Sequence, residues 1–467
     1  MSKNISIHWF RQDLRIQDNP ALNEASADHV MPIYILDTHE IGAASKCWLH
    51  HSLTALNKSL DNKLNVYKGD ASKIILDLSK KYCVKNIYWN RCYEPTRIKQ
   101  DTQIKELLKN NNYTAKSFNG SLLWEPWETL KKDATPYKVF TPFFKNLYEK
   151  IAPRKVIANI KTHFIKDTDN SLSINELDLL PKIHWDKKII EHWSIGEKAA
   201  QNKLANFLEN GLKNYKEGRD FPYLNTTSKL SPYLHFGEIS PNQIWHAVLE
   251  YAQINGYNND IEHFLRELVW REFSYNLLYY FKDLPSKNLQ PKFNHFAWQH
   301  NKKYLQAWQK GLTGYPIIDA GMRELWQTGY MHNRVRMIVG SFLVKNLLIH
   351  WHYGQKWFFD CLVDADVANN SASWQWVAGC GADAAPYFRI FNPITQGQKF
   401  DKDGQYIKKY LPELQNLDNK YIFAPWLAPP EALKKAHIKL GQNYPKPIID
   451  IALSRKIALD AYFALKN

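Results

Sequence analysis

Short apolar runs and longer amphipathic runs alternate through the first quarter of the chain. Residues 5–10 (ISIHWF), 31–36 (MPIYIL), 64–68 (LNVYK) and 84–89 (VKNIYW) are rich in β-branched and aromatic residues, the composition of strands. The stretches between them, over about 46–61, 71–82 and 97–110, carry helical patterns. Strands alternating with helices predict a parallel, doubly wound sheet. From about 150 to 195 the pattern dissolves into polar sequence such as KDTDNSLSINELD, which reads as a long interdomain connection. From about 197 the periodicity is helical to the end, clearest at 261–280 and 318–327, with a last run at 447–466. The expected fold class is therefore α/β plus all-α: an α/β domain over 1–130, a connection over 131–196 and a helical domain over 197–467.

Composition narrows the function classes. A length of 467 residues suits two or three domains of about 150 residues each. Lys and Arg exceed Asp and Glu by 61 − 46 = 15, and the isoelectric point is near 9.2, which favours a polyanionic partner, nucleic acid before membrane. Aromatic residues reach 14 %, with 17 Trp, so the chain has large cores or surfaces that stack on planar ligands. The five cysteines include no CxxC pair, which argues against a disulfide framework and for a reducing, cytoplasmic compartment. No apolar run approaches the ~20 residues of a membrane span, and the opening MSKNISIHWFRQDLR lacks the apolar core of a signal peptide.

Several clusters could carry chemistry. At helical spacing Asp366, Asn370 and Trp374 share one face, and an acid, an amide and an indole in a row make poor core. They suit a flat, polar, redox-active ring; a capped surface helix with buried Trp is the plain alternative. Thr227-Ser228-Lys229-Leu230-Ser231 masses hydroxyls at a helix start, which suits a phosphate or simply a cap. Glu267 and Arg271 are four apart, as in a surface ion pair, yet Glu267 lies among Leu, Val and Trp, and burial there would raise its pKa. Arg334 and Arg336 could form a basic helix face. His350 and His352 stand two apart, off a common helix face and without a third ligand, so no metal is expected. The first strand lacks a following GxGxxG and runs instead into Trp9-Phe10-Arg11-Gln12-Asp13-Leu14-Arg15.

These motifs together resemble the photolyase/cryptochrome family. WFRQDLR resembles its start, PYKVFTPFF (136–144) a later segment, and DADVANN…WQW…DAAPYFRIFNP its flavin-binding segment. The resemblance extends from residue 6 to about 426. It implies an N-terminal Rossmann-like antenna domain followed by a helical FAD-binding domain. It assigns FAD contacts to Tyr215, Thr227, Ser228, Lys229, Leu230, Ser231, Phe264, Glu267, Arg271, Asn333, Arg336, Asp364, Ala365, Asp366 and Asn370. Arg336 would pair with Asp364, and Asn370 would face flavin N5. Trp374, Trp351 and Trp298, in NNSASWQW, LLIHWHYG and HFAWQH, match the family's electron relay. The chain departs from the family pattern at Lys229 (usually Arg), Phe264 (usually Trp) and Tyr330 (often Trp). Folate-binding members carry Asn-Glu where Thr96-Arg97 align, so the antenna chromophore is unassigned among folate, deazaflavin and FMN.

Within the family, Glu267, Trp270, Asn333, Met337 and Trp376 together resemble the catalytic set of the cyclobutane pyrimidine dimer photolyases. Plant cryptochromes place Asp at the position of Asn370, and six-four photolyases usually carry His at that of Met337. The implied activity is light-dependent DNA repair: FADH⁻, excited by blue light, donates an electron that splits a dimer flipped out of DNA. Glu267, Trp270 and Asn333 would meet the lesion, with Arg219, Arg271, Arg334, Arg389 and Gln396 also on DNA. A DNA-associated monomer is expected. The alternative is a blue-light cryptochrome photoreceptor that binds FAD without repair.

Overall fold

The computed structural model describes residues 4–158, 160–256, 258–387 and 389–465, without the side chains of 149 and 150. It opens with β1 (Ile5–Phe10), α1 (Pro20–Ala25), β2 (His29–Leu36), α2 (Ala43–Ser59), β3 (Asn65–Lys68), α3 (Ala71–Lys81), β4 (Asn86–Asn90), α4 (Pro95–Asn110) and β5 (Thr114–Phe118). The five strands are parallel and ordered β3-β2-β1-β4-β5. This is the doubly wound sheet that the alternating pattern predicts. Ile7, Trp9, Ile33, Ile87 and Trp89 from the central strands pack with Ile75, Leu78, Ile104 and Leu108 from α3 and α4. Two elements escape the sequence pattern. The edge strand β5, TAKSF, is half-exposed and so lacks an apolar run, and α1 has only six residues.

The strand order reverses between β1 and β4, where ligands bind in open sheets of this kind. Here buried side chains fill that position. Arg11 donates to both carboxylate oxygens of Asp101, at 2.6 and 3.1 Å, and to the Asn90 carbonyl at 2.5 Å. Asn90 donates in turn to Asp13 at 2.6 Å and to Asn19 at 2.7 Å. The WFRQDLR motif thus stitches the strand ends together. Arg97, at the start of α4, pairs with Asp37 after β2.

The polar stretch read as a long interdomain connection is docked on the sheet. Phe164 bridges Val30 and Leu172 bridges Val66. Asp167, fully buried, accepts from the hydroxyls of Tyr67 (2.9 Å) and Tyr82 (2.7 Å) and from Lys81 (3.1 Å). These tyrosines are distant in sequence, so nothing local announces the anchor.

The rest is helical among the described residues, with principal helices at Glu197–Asn210, Pro241–Asn255, Asn259–Tyr280, Pro316–Thr328, Asn333–Ser341, Trp351–Cys361, Val367–Ala378 and Ile451–Ala464. Residue 466 of the last expected run lies outside the described residues. The chain divides into two compact units, one formed by 1–213, 228–282 and 363–366 and the other by 214–227, 283–362 and 367–467. No helix among the described residues is long and apolar enough to cross a membrane.

Candidate functional site

In the first unit the long helix Asn259–Tyr280 carries Phe264, Glu267, Trp270 and Arg271. Asn258 caps it by accepting from the backbone N–H groups of Asp260 and Ile261. Its apolar face buries Ile261, Leu265, Leu268 and Val269. That same turn of the helix leaves Glu267 only half-buried, so the enclosure expected of this acid is not found. Phe264 is buried against Phe207, with ring centroids 4.6 Å apart. Trp270 is half-buried and lies flat on Phe140, with centroids at 3.6 Å and ring planes 6° apart. Phe140 comes from PYKVFTPFF, so that motif braces one face of the indole.

Arg271 donates to the Ser121 carbonyl at 2.8 Å and to the adjacent Glu272 at 3.1 Å. Burial pulls its pKa down, but Tyr275, Glu272 and Asp366 outweigh that pull and hold it above the usual value. It is therefore a permanent cation with its side chain only 10 % exposed. Glu272 also accepts from the backbone N–H groups of Leu123 and Trp124, and burial pushes its pKa up to about 7 against the pull of Arg271. Asp364, Ala365 and Asp366 are all buried. Burial lowers the pKa of His235 despite the pull of Asp366 and Asp364, so this imidazole is neutral near pH 7. Neither His235 nor Tyr275 carries a local sequence signal; only the fold brings them beside Asp366.

The hydroxyl-rich turn has an unusual backbone. Lys229 sits in the left-handed region at φ 51°, and the short helix Ser231–Phe236 follows. Ser231 donates its one hydroxyl proton to Asp364 at 2.5 Å. Gly237 ends the helix at φ 67°; a Cβ there would sit 2.1 Å from the Gln12 carbonyl oxygen, so only glycine fits.

In the second unit, His332 caps the helix Asn333–Ser341, its Nδ1 accepting from Arg334 N–H. Burial, then Arg334, lowers His332 to about 3, so it remains a neutral acceptor. Asn333 is exposed, and Met337 is half-buried. Arg334 pairs with Asp220 at 2.5 Å and lies 4.5 Å above the Phe400 ring, so much of its guanidinium is occupied within the unit. Arg336 donates from Nε to the Met331 carbonyl at 2.7 Å and lies 5.1 Å above the Tyr330 ring. A ring at residue 330 therefore serves as a platform for Arg336. Tyr215 is buried, with Arg219 5.4 Å above its ring.

The helix Val367–Ala378 begins after Asp366, so Asn370 and Trp374 share its face while the acid lies just ahead of it. Asn370 donates its amide N–H to the Gln355 carbonyl at 2.9 Å, which fixes the orientation of the amide. Trp374 is buried in edge contact with Phe358 (5.0 Å) and Trp308 (6.2 Å). It presses on Gly354 so closely that a Cβ there would lie 2.1 Å from its ring. Trp351 is also fully buried, and its Nε1 donates to Asn288 at 2.8 Å. Half-exposed Trp298 reaches it through His350, whose ring lies 5.0 Å from Trp298 and 5.5 Å from Trp351.

His350 stands just outside the helix that holds His352. It is the cap before the helix Trp351–Cys361, accepting from His352 N–H, so the two rings lie 4.4 Å apart despite their spacing. Burial, then His352, lowers His350 to about 4. Trp376 is half-buried, Arg389 exposed, and Gln396 half-exposed in the helix Pro393–Phe400.

Residues 264–464 match the family model for the FAD binding domain of DNA photolyase, and residues 6–160 match that for DNA photolyase. The chain is 48 % identical to the deoxyribodipyrimidine photo-lyase of Agrobacterium fabrum, over 99 % of this chain and 98 % of that protein. The chain belongs to the DNA photolyase family.

Cryptochromes are also among the relatives of this chain. The chain is 34 % identical to cryptochrome-1 of Arabidopsis thaliana, covering 96 % of this chain and 69 % of that protein. A class III photolyase from Agrobacterium tumefaciens superimposes with a TM-score of 0.97, at 47 % identity over 100 % of this chain and 98 % of that structure. The photolyase FAD-binding match covers Phe264, Glu267, Arg271, Asn333, Arg336, Asn370, Trp298, Trp351 and Trp374. Tyr215 and the Thr227–Ser231 turn lie upstream of it.

Proposed function

We propose that this protein is a light-dependent DNA repair lyase that splits cyclobutane pyrimidine dimers, using FAD. The observation that carries the reading is the amide of Asn370. One of its two N–H groups donates to the Gln355 carbonyl, which orients the amide and leaves the side-chain oxygen as an acceptor. An acceptor fits the N–H of a reduced flavin, whereas an Asp there could deliver a proton to it. The largely enclosed cation Arg271 and the donors of the Thr227–Ser231 turn, apart from the Ser231 hydroxyl already given to Asp364, suit the anionic parts of a dinucleotide. When bound, reduced and excited by blue light, FAD supplies the electron that opens the cyclobutane ring.

The chain's own residues bind and place the reactants. Glu267, half-buried on its helix, is accessible to a base carbonyl of the flipped dimer. Trp270, braced by Phe140, and Trp376 supply aromatic walls; Asn333 and Met337 complete the lesion contacts. Arg219, Arg389 and Gln396 meet DNA, and Arg334 does so while tied to Asp220. Trp298, Trp351 and Trp374 carry electrons inward to restore the reduced cofactor. An antenna chromophore of the folate, deazaflavin or FMN type would add light-gathering.

Likeness to cryptochrome-1 supports a second reading, a photoreceptor without repair. One experiment separates the two: purified protein, its flavin spectrum recorded, is illuminated with an oligonucleotide carrying a thymine dimer. Dimer loss in the light and not in the dark is expected. Full flavin occupancy and flavin photoreduction with no dimer loss would overturn the repair reading in favour of the receptor.

A further inference from the structure

The helix Asn333–Ser341 does not end cleanly. It runs into a wider π turn at Phe342–Asn346, in which Leu347 N–H donates to the Phe342 carbonyl at 3.0 Å. Such turns insert an extra residue into a helix and recur at functional sites. Leu348, which follows, holds the left-handed conformation at φ 51°, uncommon for a bulky residue. This local distortion turns Lys345 inward, where it is 1 % exposed.

A buried ammonium is unfavourable unless its protons are used. Lys345 Nζ donates to the Arg389 carbonyl at 3.2 Å and lies 5.3 Å from the centre of the Tyr387 ring. Burial lowers its pKa to about 8, so it is still mostly charged at neutral pH. A second tie comes from the same helix: Phe391 N–H donates to Ser341 Oγ at 3.4 Å. The two ties bracket Arg389 and Ile390. A third bond, from Arg389 N–H to the Pro386 carbonyl at 3.0 Å, shapes the turn itself. Tyr387 forms the floor, stacked on Tyr462 at 4.7 Å. Arg389 itself is exposed. Two side chains of the helical segment thus hold the main chain of the loop on either side of Ile390, and Arg389 is exposed.

We infer that Lys345 is a positioning residue for DNA binding: from inside the fold it holds the main chain of the loop that presents Arg389 to a phosphate. The inference rests on the assignment of Arg389 as a DNA contact. A buried lysine would serve here because its ammonium can engage a carbonyl and a ring face together, which a neutral side chain of similar length cannot do. The role is distinct from contact with DNA, since Lys345 is buried.

The test pairs amide hydrogen exchange with a mutant cycle. In flavin-loaded Lys345→Met, exchange at the Arg389 and Phe391 amides should speed up, while amides of the helix Val367–Ala378 keep their protection. Affinity for dimer-containing DNA should fall about fivefold, the scale of weakening one phosphate contact. Arg389→Ala should lower affinity at least as much, and adding Lys345→Met to it should lower affinity no further. If Lys345→Met loses flavin or melts early, Ser341→Ala, which removes the second tie, should give the same exchange pattern and the same non-additivity. Unchanged loop exchange in flavin-loaded Lys345→Met, or losses that multiply in the double mutant, would overturn the inference. Wild-type DNA affinity in Arg389→Ala would instead overturn the DNA-contact assignment, even with faster loop exchange, and would leave Lys345 as an anchor without a binding role.

Discussion

Gly354 offers a sharp test of how tightly the relay is built. Replacing it with Ala in a solvated helix would stabilise the chain by up to about 1 kcal/mol, since Gly is a poor helix former. Here the added Cβ would lie 2.1 Å from Trp374 Cη2, 2.4 Å from Cζ3 and 2.5 Å from Cζ2. Carbon atoms settle at about 3.5–4.0 Å, so the ring or the helix must shift by roughly 1.5 Å. The ring has little room, because Phe358 and Trp308 lie against it, and even a Cβ built on Gly340 would lie 3.7 Å from its Cζ3. Overpacking of this kind costs about 1–3 kcal/mol, occasionally more, so it outweighs the helix gain. We expect Gly354→Ala to lose about 1–2 kcal/mol net in denaturant unfolding. We also expect slower photoreduction of oxidised flavin, because the displaced indole belongs to the proposed relay. The matched control is Gly256→Ala, at a glycine where a Cβ meets nothing within 4 Å; its φ of 82° makes any loss there purely one of backbone strain, with photoreduction unchanged. A Gly354→Ala protein that is more stable than wild type and photoreduces normally would refute the packing argument.

Trp351→Phe should block photoreduction while leaving repair by chemically reduced enzyme nearly unchanged; loss of repair in the pre-reduced mutant would make Trp351 structural. Glu267→Ala should lower the quantum yield of repair more than it weakens dimer binding, because the base carbonyl gains charge only during the reaction; one such hydrogen bond is worth about 1–3 kcal/mol. Full flavin, unchanged binding and wild-type yield in that mutant would remove Glu267 from the mechanism. Glu238, fully buried and accepting from Trp48 Nε1 at 3.2 Å, has its pKa pushed up to about 8, chiefly by burial. The folded state therefore holds a proton that the unfolded state releases above about pH 4.5, so stability falls as pH rises from there to about 8. Glu238→Gln keeps an acceptor for Trp48 and removes the charge; it should flatten this loss, seen as a smaller difference in unfolding free energy between pH 5 and pH 9. Equal pH slopes for mutant and wild type would contradict it.

The sequence by itself determined the sheet and the helices whose residues bury one continuous face. Strand runs such as ISIHWF and MPIYIL and the amphipathic stretches at 261–280 and 318–327 carry their signal locally, because burial on one side imposes a period. Motifs long enough to be specific, DADVANN and WFRQDLR among them, likewise announced the family. What the period does not encode is an element without a one-sided core, and so β5 and the docked segment around Asp167 were invisible until the fold placed their partners. The same holds for the site. The sequence named Glu267, Asn370 and the three tryptophans, but burial is a property of three dimensions, and Glu267 proved half-exposed on its helix. The brace of Phe140 under Trp270, the imidazole of His350 between two indoles and the absence of a side chain at Gly354 all join residues distant in sequence or depend on a cap that ends a helix. Only tertiary packing decides such contacts, because the atoms that make them are brought together by the burial of other residues.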